Sequence, residues 1–146
     1  MNLTKNVLTK EVAAPIANAS NTDTNSDRVD MSGYNGIRFI TPITDCAATG
    51  VATITVEQNT ADSDTGMAAI TGGAATATCV VIDDLNNHLL IADVYRPQKR
   101  YVQVAITSAT ANIAFGNTIA ELYDPIKKPV TEDTTVADSV EVAGSA

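Results

Sequence analysis

Between Ala52 and Glu57 the chain alternates strictly, with Ala52, Ile54 and Val56 on one parity and Thr53, Thr55 and Glu57 on the other. A period of two places successive side chains on opposite faces of an extended strand, so this segment buries one face and wets the other. The pattern recurs along the chain. Ile37, Phe39 and Thr41 share a face in a strand that Pro42 is expected to end, because proline cannot donate to a ladder. Residues 75–82 alternate Ala, Cys and Val with Thr before running apolar, after a turn expected at Gly72-Gly73. Residues 88–95 and 101–107 read as two further strands joined by 96–100, with Val102, Val104 and Ile106 inward. Ala111, Ile113 and Phe115 open a last strand, which Gly116-Asn117 interrupts as a bulge before residues 118–123 resume it. No helical period is sustained beyond two turns. The expectation is an all-β fold, either an antiparallel β-sandwich or a jelly-roll-like barrel.

The two ends read differently from this body. Residues 20–27 are eight consecutive polar residues, and Asn, Asp and Ser side chains compete for backbone hydrogen bonds in favour of turns. Residues 12–17 could form only a short edge strand. The C-terminal stretch from Asp124-Pro125 onward carries acidic residues among Thr, Ala, Val and Ser, too little apolar bulk to fold alone. The expected organisation is an N-terminal arm and polar loop over 1–30, a β body over 31–124, and an extended C-terminal tail over 125–146.

A chain of 146 residues fits one domain, which buries roughly two-thirds of its unfolded surface. Hydrophobic residues are 45% of the sequence but aromatics only 4%, so the core is built from small and β-branched side chains. Such side chains suit thin pleated layers and argue against an aromatic-lined ligand pocket. The formal net charge of −8 repels phosphate backbones and anionic lipid, which disfavours nucleic acid and membrane surfaces as partners. No apolar run approaches the ~20 residues that cross a bilayer. The first residues, Met1-Asn2-Leu3-Thr4-Lys5, lack the apolar stretch of a secretory signal, so synthesis in the cytoplasm is expected.

Residues that could carry chemistry are sparse. His88 is the single histidine, at the edge of an apolar strand, and no nucleophile motif accompanies it. Cys46 and Cys79 read as two small buried residues, neither with a second Cys or a His nearby in sequence. Asp23-Thr24-Asn25-Ser26-Asp27 begins like a calcium loop, but Arg28 stands where the turning Gly belongs and Tyr34 where the bidentate Glu belongs. A hydrated turn is the simpler reading. Neighbouring Asp83 and Asp84 point apart in a strand or turn, so shared acid–base work is not expected. The sequence therefore predicts a protein that is not an enzyme and holds no cofactor or metal.

One segment is concentrated. Asp93-Val94-Tyr95-Arg96-Pro97-Gln98-Lys99-Arg100-Tyr101 sets three cations and two tyrosines in nine residues of an acidic chain. Tyr and Arg offer large contact area and bidentate pairing and are enriched at interface hot spots. Pro97 stiffens the segment and reduces the entropy lost on docking. Lys127 and Lys128 add a second basic pair. The residues expected at a protein interface are thus Tyr95, Arg96, Pro97, Lys99, Arg100, Tyr101, Lys127 and Lys128. The competing reading is a solvated hairpin loop with both tyrosines packed on the sheet.

Three segments carry a resemblance: Asn25-Ser26-Asp27-Arg28-Val29-Asp30-Met31-Ser32-Gly33-Tyr34, then Asp93 through Val102, then Lys127-Lys128-Pro129-Val130. In this order they resemble a group of small virion proteins of tailed bacteriophages, over roughly residues 21–130. The resemblance implies a head-associated capsid decoration, or cement, protein that bridges shell subunits. It further implies the major capsid protein and copies of the chain itself as partners, a trimer being one arrangement, and a place on the capsid surface. A tail, head–tail joining or host-binding component is the alternative within the virion. A carbohydrate-binding or calcium-binding accessory domain is the alternative outside it.

Overall fold

The computed structural model describes residues 2–142. Strands hold 54% of the chain and no α-helix occurs among the described residues. A single 3-10 turn at Leu3–Lys5 precedes eleven strands: β1 (Leu8–Ala13), β2 (Ile16–Ala19), β3 (Asp23–Asn25), β4 (Val29–Asp30), β5 (Tyr34–Cys46), β6 (Val51–Asn59), β7 (Ala68–Thr78), β8 (His88–Tyr95), β9 (Tyr101–Ala109), β10 (Ile113–Phe115) and β11 (Thr118–Pro125).

Several of these are halves of one longer strand. β10 and β11 both pair with β5, separated by the Gly116-Asn117 break, while β1 pairs with β11 and β2 with β10. Sheet I is therefore four strands wide, β1/β2, β10/β11, β5 and β8, all antiparallel. Sheet II is likewise β3/β4, β9, β6 and β7. Successive strands pass between the sheets in the order of a double Greek key, the jelly-roll connectivity. The two sheets remain an open sandwich and do not close into a barrel.

The period-two reading holds on the inner faces. Ile37, Phe39 and Ile43 of β5 meet Ala52, Ile54 and Val56 of β6 and Val102, Val104 and Ile106 of β9, all at 1% exposure or less. Ile113, Phe115, Ala120 and Leu122 complete the layer. Thr41, on the same inner face, shares its hydroxyl with Thr118 across β5 and β11 at 2.9 Å, so neither buried oxygen is orphaned.

Four expectations are corrected. Pro42 does not end its strand: β5 runs on to Cys46. The position tolerates proline because the opposing strand is already broken there, where Gly116 donates its N–H to the Pro42 carbonyl at 2.9 Å. Gly72-Gly73 is not a turn but a bulge inside β7, with Gly72 at φ +77°; the hairpin turns earlier, between β6 and β7. Residues 80–82 leave the strand for an exposed loop. Cys46 and Cys79 are neighbours after all, with Sγ atoms 2.7 Å apart in the core.

The ends also differ from expectation. Residues 8–30, expected within an arm, supply β1 to β4, one strand position in each sheet. Polar Asp23–Asn25 can do this because an edge strand needs backbone pairing more than apolar side chains, and β3 pairs through Thr24↔Ile106. The tail beyond Pro125 folds back along β1. Val130 donates its N–H to Lys5 O, Glu11 N–H donates to Thr135 Oγ1, and ion pairs join Lys10 to Asp133 and Lys5 to Glu141. A free sheet edge is thereby covered by the chain's own end. Part of the expected tail, residues 143–146, lies outside the described residues, as does Met1 of the expected arm.

Candidate docking face

Because Ile37, Phe39, Thr41 and Ile43 face inward, the intervening residues of β5 face out, and antiparallel pairing sets their neighbours in rows. The first row is Tyr95–Gly36–Tyr123, the second Asp93–Arg38–Glu121 and the third Ile91–Ile40–Ile119. Pro42–Leu89 closes the series. A solvated outer face would be polar throughout. Here one half is apolar, and Leu89 and Ile91 on the edge strand stand 56% and 46% exposed.

The other half is aromatic and charged. Gly36 leaves room for the Tyr123 ring, which lies directly over it: a Cβ there would stand 2.1 Å from Tyr123 Cζ. Tyr123 thereby reaches toward Tyr95, the ring centroids 6.3 Å apart and the planes 12° from parallel. Tyr123 OH donates to Asp93 Oδ1 at 2.5 Å, and Tyr95 OH donates to Asp124 Oδ2 at 2.9 Å. Partial burial, and then the adjacent Asp93 carboxylate, push the Tyr123 phenol well above its ordinary range. Arg38 donates from both Nε and Nη2 to Glu121 Oε2. Leu3 and Val7 join Arg38, Asp93, Glu121 and Tyr123 around a depression of about 260 Å³.

The basic segment leaves this face at the Tyr95 end. Arg96 adopts φ +55°, donates its N–H to Asn35 O at 2.6 Å, and holds its guanidinium 5.3 Å from the Tyr95 ring centroid. Both Gln98 N–H and Lys99 N–H donate to Gln58 Oε1 of β6. Pro97 is half-buried, so the loop is tied down at several points. Arg100 and Tyr101 belong to the other sheet. Arg100 grips Asp30 with two hydrogen bonds of 2.9 and 2.8 Å, which joins the start of β9 to β4 and holds the Asp30 carboxyl below its usual range. The Arg100 guanidinium also lies 5.3 Å from the Tyr101 ring centroid.

Lys127 and Lys128 are exposed and follow β11 at the same end of sheet I, where Ile126 N–H donates to Gly33 O. Arg96, Lys99, Lys127 and Lys128 have no ion-pair partner among the described residues, whereas Arg100 has one. The eight sequence-predicted residues are thus split: Tyr95 and Arg96 border the face, Pro97 and Lys99 lie on the crossover loop tied to Gln58 of β6, Lys127 and Lys128 follow β11 at the same end, and Arg100 and Tyr101 brace sheet II.

The apolar half is not evident from the alternation of β5 alone. Its signal was present in Leu89-Leu90-Ile91, which is apolar on both parities in a strand with only one buried face. The hydrated turn expected at Asp23–Asp27 is instead a strand over Asp23–Asn25, β3, extended and paired with β9. His88 is exposed, its Nδ1 3.1 Å from Asn86 O. No known protein-family model matches the chain, and no curated protein is significantly similar to it.

Proposed function

We propose that this protein is a structural docking subunit, non-enzymatic, that binds other protein subunits through the outer face of sheet I. The observation that carries the reading is the apolar half of that face, where exposed Leu89 and Ile91 adjoin half-buried Ile40, Pro42 and Ile119 beside an ordered Tyr95–Tyr123 pair. An exposed apolar patch rimmed by polar groups fits a protein partner. The rim supplies orientation: an Arg96 already stacked on Tyr95 and without an ion-pair partner among the described residues, and Lys127 and Lys128 nearby, on a chain of net charge −8. A partner with an acidic rim, including the acidic surface of another copy, complements that end.

The resemblance of residues 21–130 to small tailed-phage virion proteins makes the partner a capsid shell, with the protein as its decoration or cement. A rigid sandwich suits that role, since little conformational entropy is lost when a preorganised face docks. Purified protein added to shells stripped of it should rebind and raise their disruption temperature. Failure to bind stripped shells would remove the capsid reading. Gold labelling clustered at a single vertex, rather than spread over the shell, would move the protein to the tail or head–tail junction.

A further inference from the structure

Cys46 ends β5 in sheet I, and Cys79 directly follows β7 in sheet II. Both are sealed from solvent, at 1% and 0% exposure, with Sγ atoms 2.7 Å apart. Backbone hydrogen bonds fix the two residues. Cys79 N–H donates to Gly50 O, Thr49 N–H donates to Cys79 O, and Asp83 N–H donates to Cys46 O. The loop beyond Cys79 wraps the sulfurs. Asp84 Oδ2 accepts from the N–H groups of Val80 and Val81 at 3.0 and 3.1 Å, which holds its carboxyl below the usual range. Leu85 N–H points at Cys46 Sγ from 3.4 Å.

We propose that Cys46 and Cys79 are a modification site, an oxidisable pair that closes to a disulfide stapling sheet I to sheet II. The sulfurs need to approach by only about 0.7 Å to reach the usual bond of about 2.0 Å. The same distance argues against a metal. Cys46, Cys79 and Asp84 form a three-ligand cluster, but tetrahedral zinc with bonds of about 2.3 Å holds its thiolates roughly 3.8 Å apart. A metal would have to spread a packed core by about an ångström and share Asp84 with the two amides it already caps.

A small-molecule disulfide such as oxidised glutathione is the oxidant. One cysteine thiolate attacks a sulfur of the oxidant and expels one glutathione thiolate, leaving a mixed disulfide. The second cysteine, deprotonated, attacks the protein sulfur of that mixed disulfide and expels the other. Two protein thiols lose two protons and two electrons, and one oxidant disulfide becomes two thiols. Burial pushes the Cys79 thiol up to about 12, and the closed core has no room for the glutathione adduct, so the first step requires the loop over residues 80–87 to open. Once closed, the staple fixes that loop, where Val80, Val81 and Ile82 stand 75%, 61% and 64% exposed.

The test uses full-length protein incubated with oxidised glutathione, in buffer and in mild denaturant, then trapped with N-ethylmaleimide after unfolding. The expected product is a monomer lighter by two hydrogens, unlabelled, whose unreduced digest contains one peptide linking Cys46 to Cys79. It forms faster in mild denaturant, and it melts roughly 5–15 °C above the reduced protein. A Cys46→Ala/Cys79→Ala variant should show no oxidant-dependent shift. Two free thiols after prolonged incubation in both conditions, a stable glutathione adduct, or a covalent dimer would each overturn the proposal. So would stoichiometric zinc retained by the reduced protein through dialysis against a chelator.

Discussion

Replacing Gly36 by alanine sets a methyl group where the Tyr123 ring lies, 2.1 to 2.6 Å from three of its atoms. The clashing group is a side chain, so the ring swings away and the backbone of β5 stays. Two contacts go with it. The Tyr123 hydroxyl bond to Asp93 is worth about 1 kcal/mol net at a half-exposed site, and the stack on Tyr95 about 1 kcal/mol more. Alanine returns roughly 0.5 kcal/mol by narrowing the unfolded ensemble. The net cost is about 1–2 kcal/mol, a fall of roughly 3–8 °C in melting temperature for a domain of this size. Thermal unfolding followed by far-ultraviolet circular dichroism measures it. The sharper readout is a double-mutant cycle with Tyr123→Ala, in which Gly36→Ala should become neutral or slightly stabilising. An equal cost of Gly36→Ala with and without the Tyr123 ring would refute the packing of that ring over the glycine.

Other outcomes follow from the same geometry. Thr118→Val strands the buried Thr41 hydroxyl and should cost about 1–3 kcal/mol, while Thr41→Val/Thr118→Val together should be close to neutral, both read from urea denaturation. Arg100→Ala removes a solvent-exposed pair and should lower the melting temperature only slightly, whereas Arg96→Ala should leave the melt nearly unchanged and weaken shell binding. Asp30 is held low by Arg100, Asp84 by the Val81 N–H and Asp133 by the Thr135 N–H. Depressed carboxyls stabilise the fold above their unfolded value of 3.8 and lose that contribution as pH falls below it, so stability should be level down to about pH 5 and then decline. Asp30→Asn should flatten part of that decline. Truncation after Val130 should leave the sandwich folded but speed hydrogen exchange at the Glu11 amide, which the tail covers.

How far the sequence shows all this varies by element. Ala52, Ile54 and Val56, or Val102, Val104 and Ile106, declare their faces because bulky apolar residues alternate there with polar or small ones, although Gln103 and Ala105 on the other face of β9 are buried too. β3 leaves no such trace, since its pairing to β9 is made by backbone groups that every residue carries. Pro42 and Gly72-Gly73 look like strand ends until the partner strand is known; each sits where the opposing ladder is already irregular. The basic-aromatic loop was visible as composition, but its division between Tyr95–Arg96 on sheet I and Arg100–Asp30 on sheet II depends on where the crossover lands. The rows on sheet I, like the meeting of Cys46 with Cys79, are products of register and tertiary closure, which residue order alone does not encode locally.

The central claim is that the outer face of sheet I is a docking surface, and Leu89→Glu/Ile91→Glu tests it most directly. Both side chains point to solvent, so the variant should melt within about 3 °C of the parent, as surface changes do. Burying what each leaves exposed contributes roughly 1 kcal/mol, and two carboxylates forced into an apolar contact add more. Cosedimentation with stripped shells should therefore show affinity at least about tenfold weaker. Binding within twofold of the parent, at unchanged stability, would contradict the account.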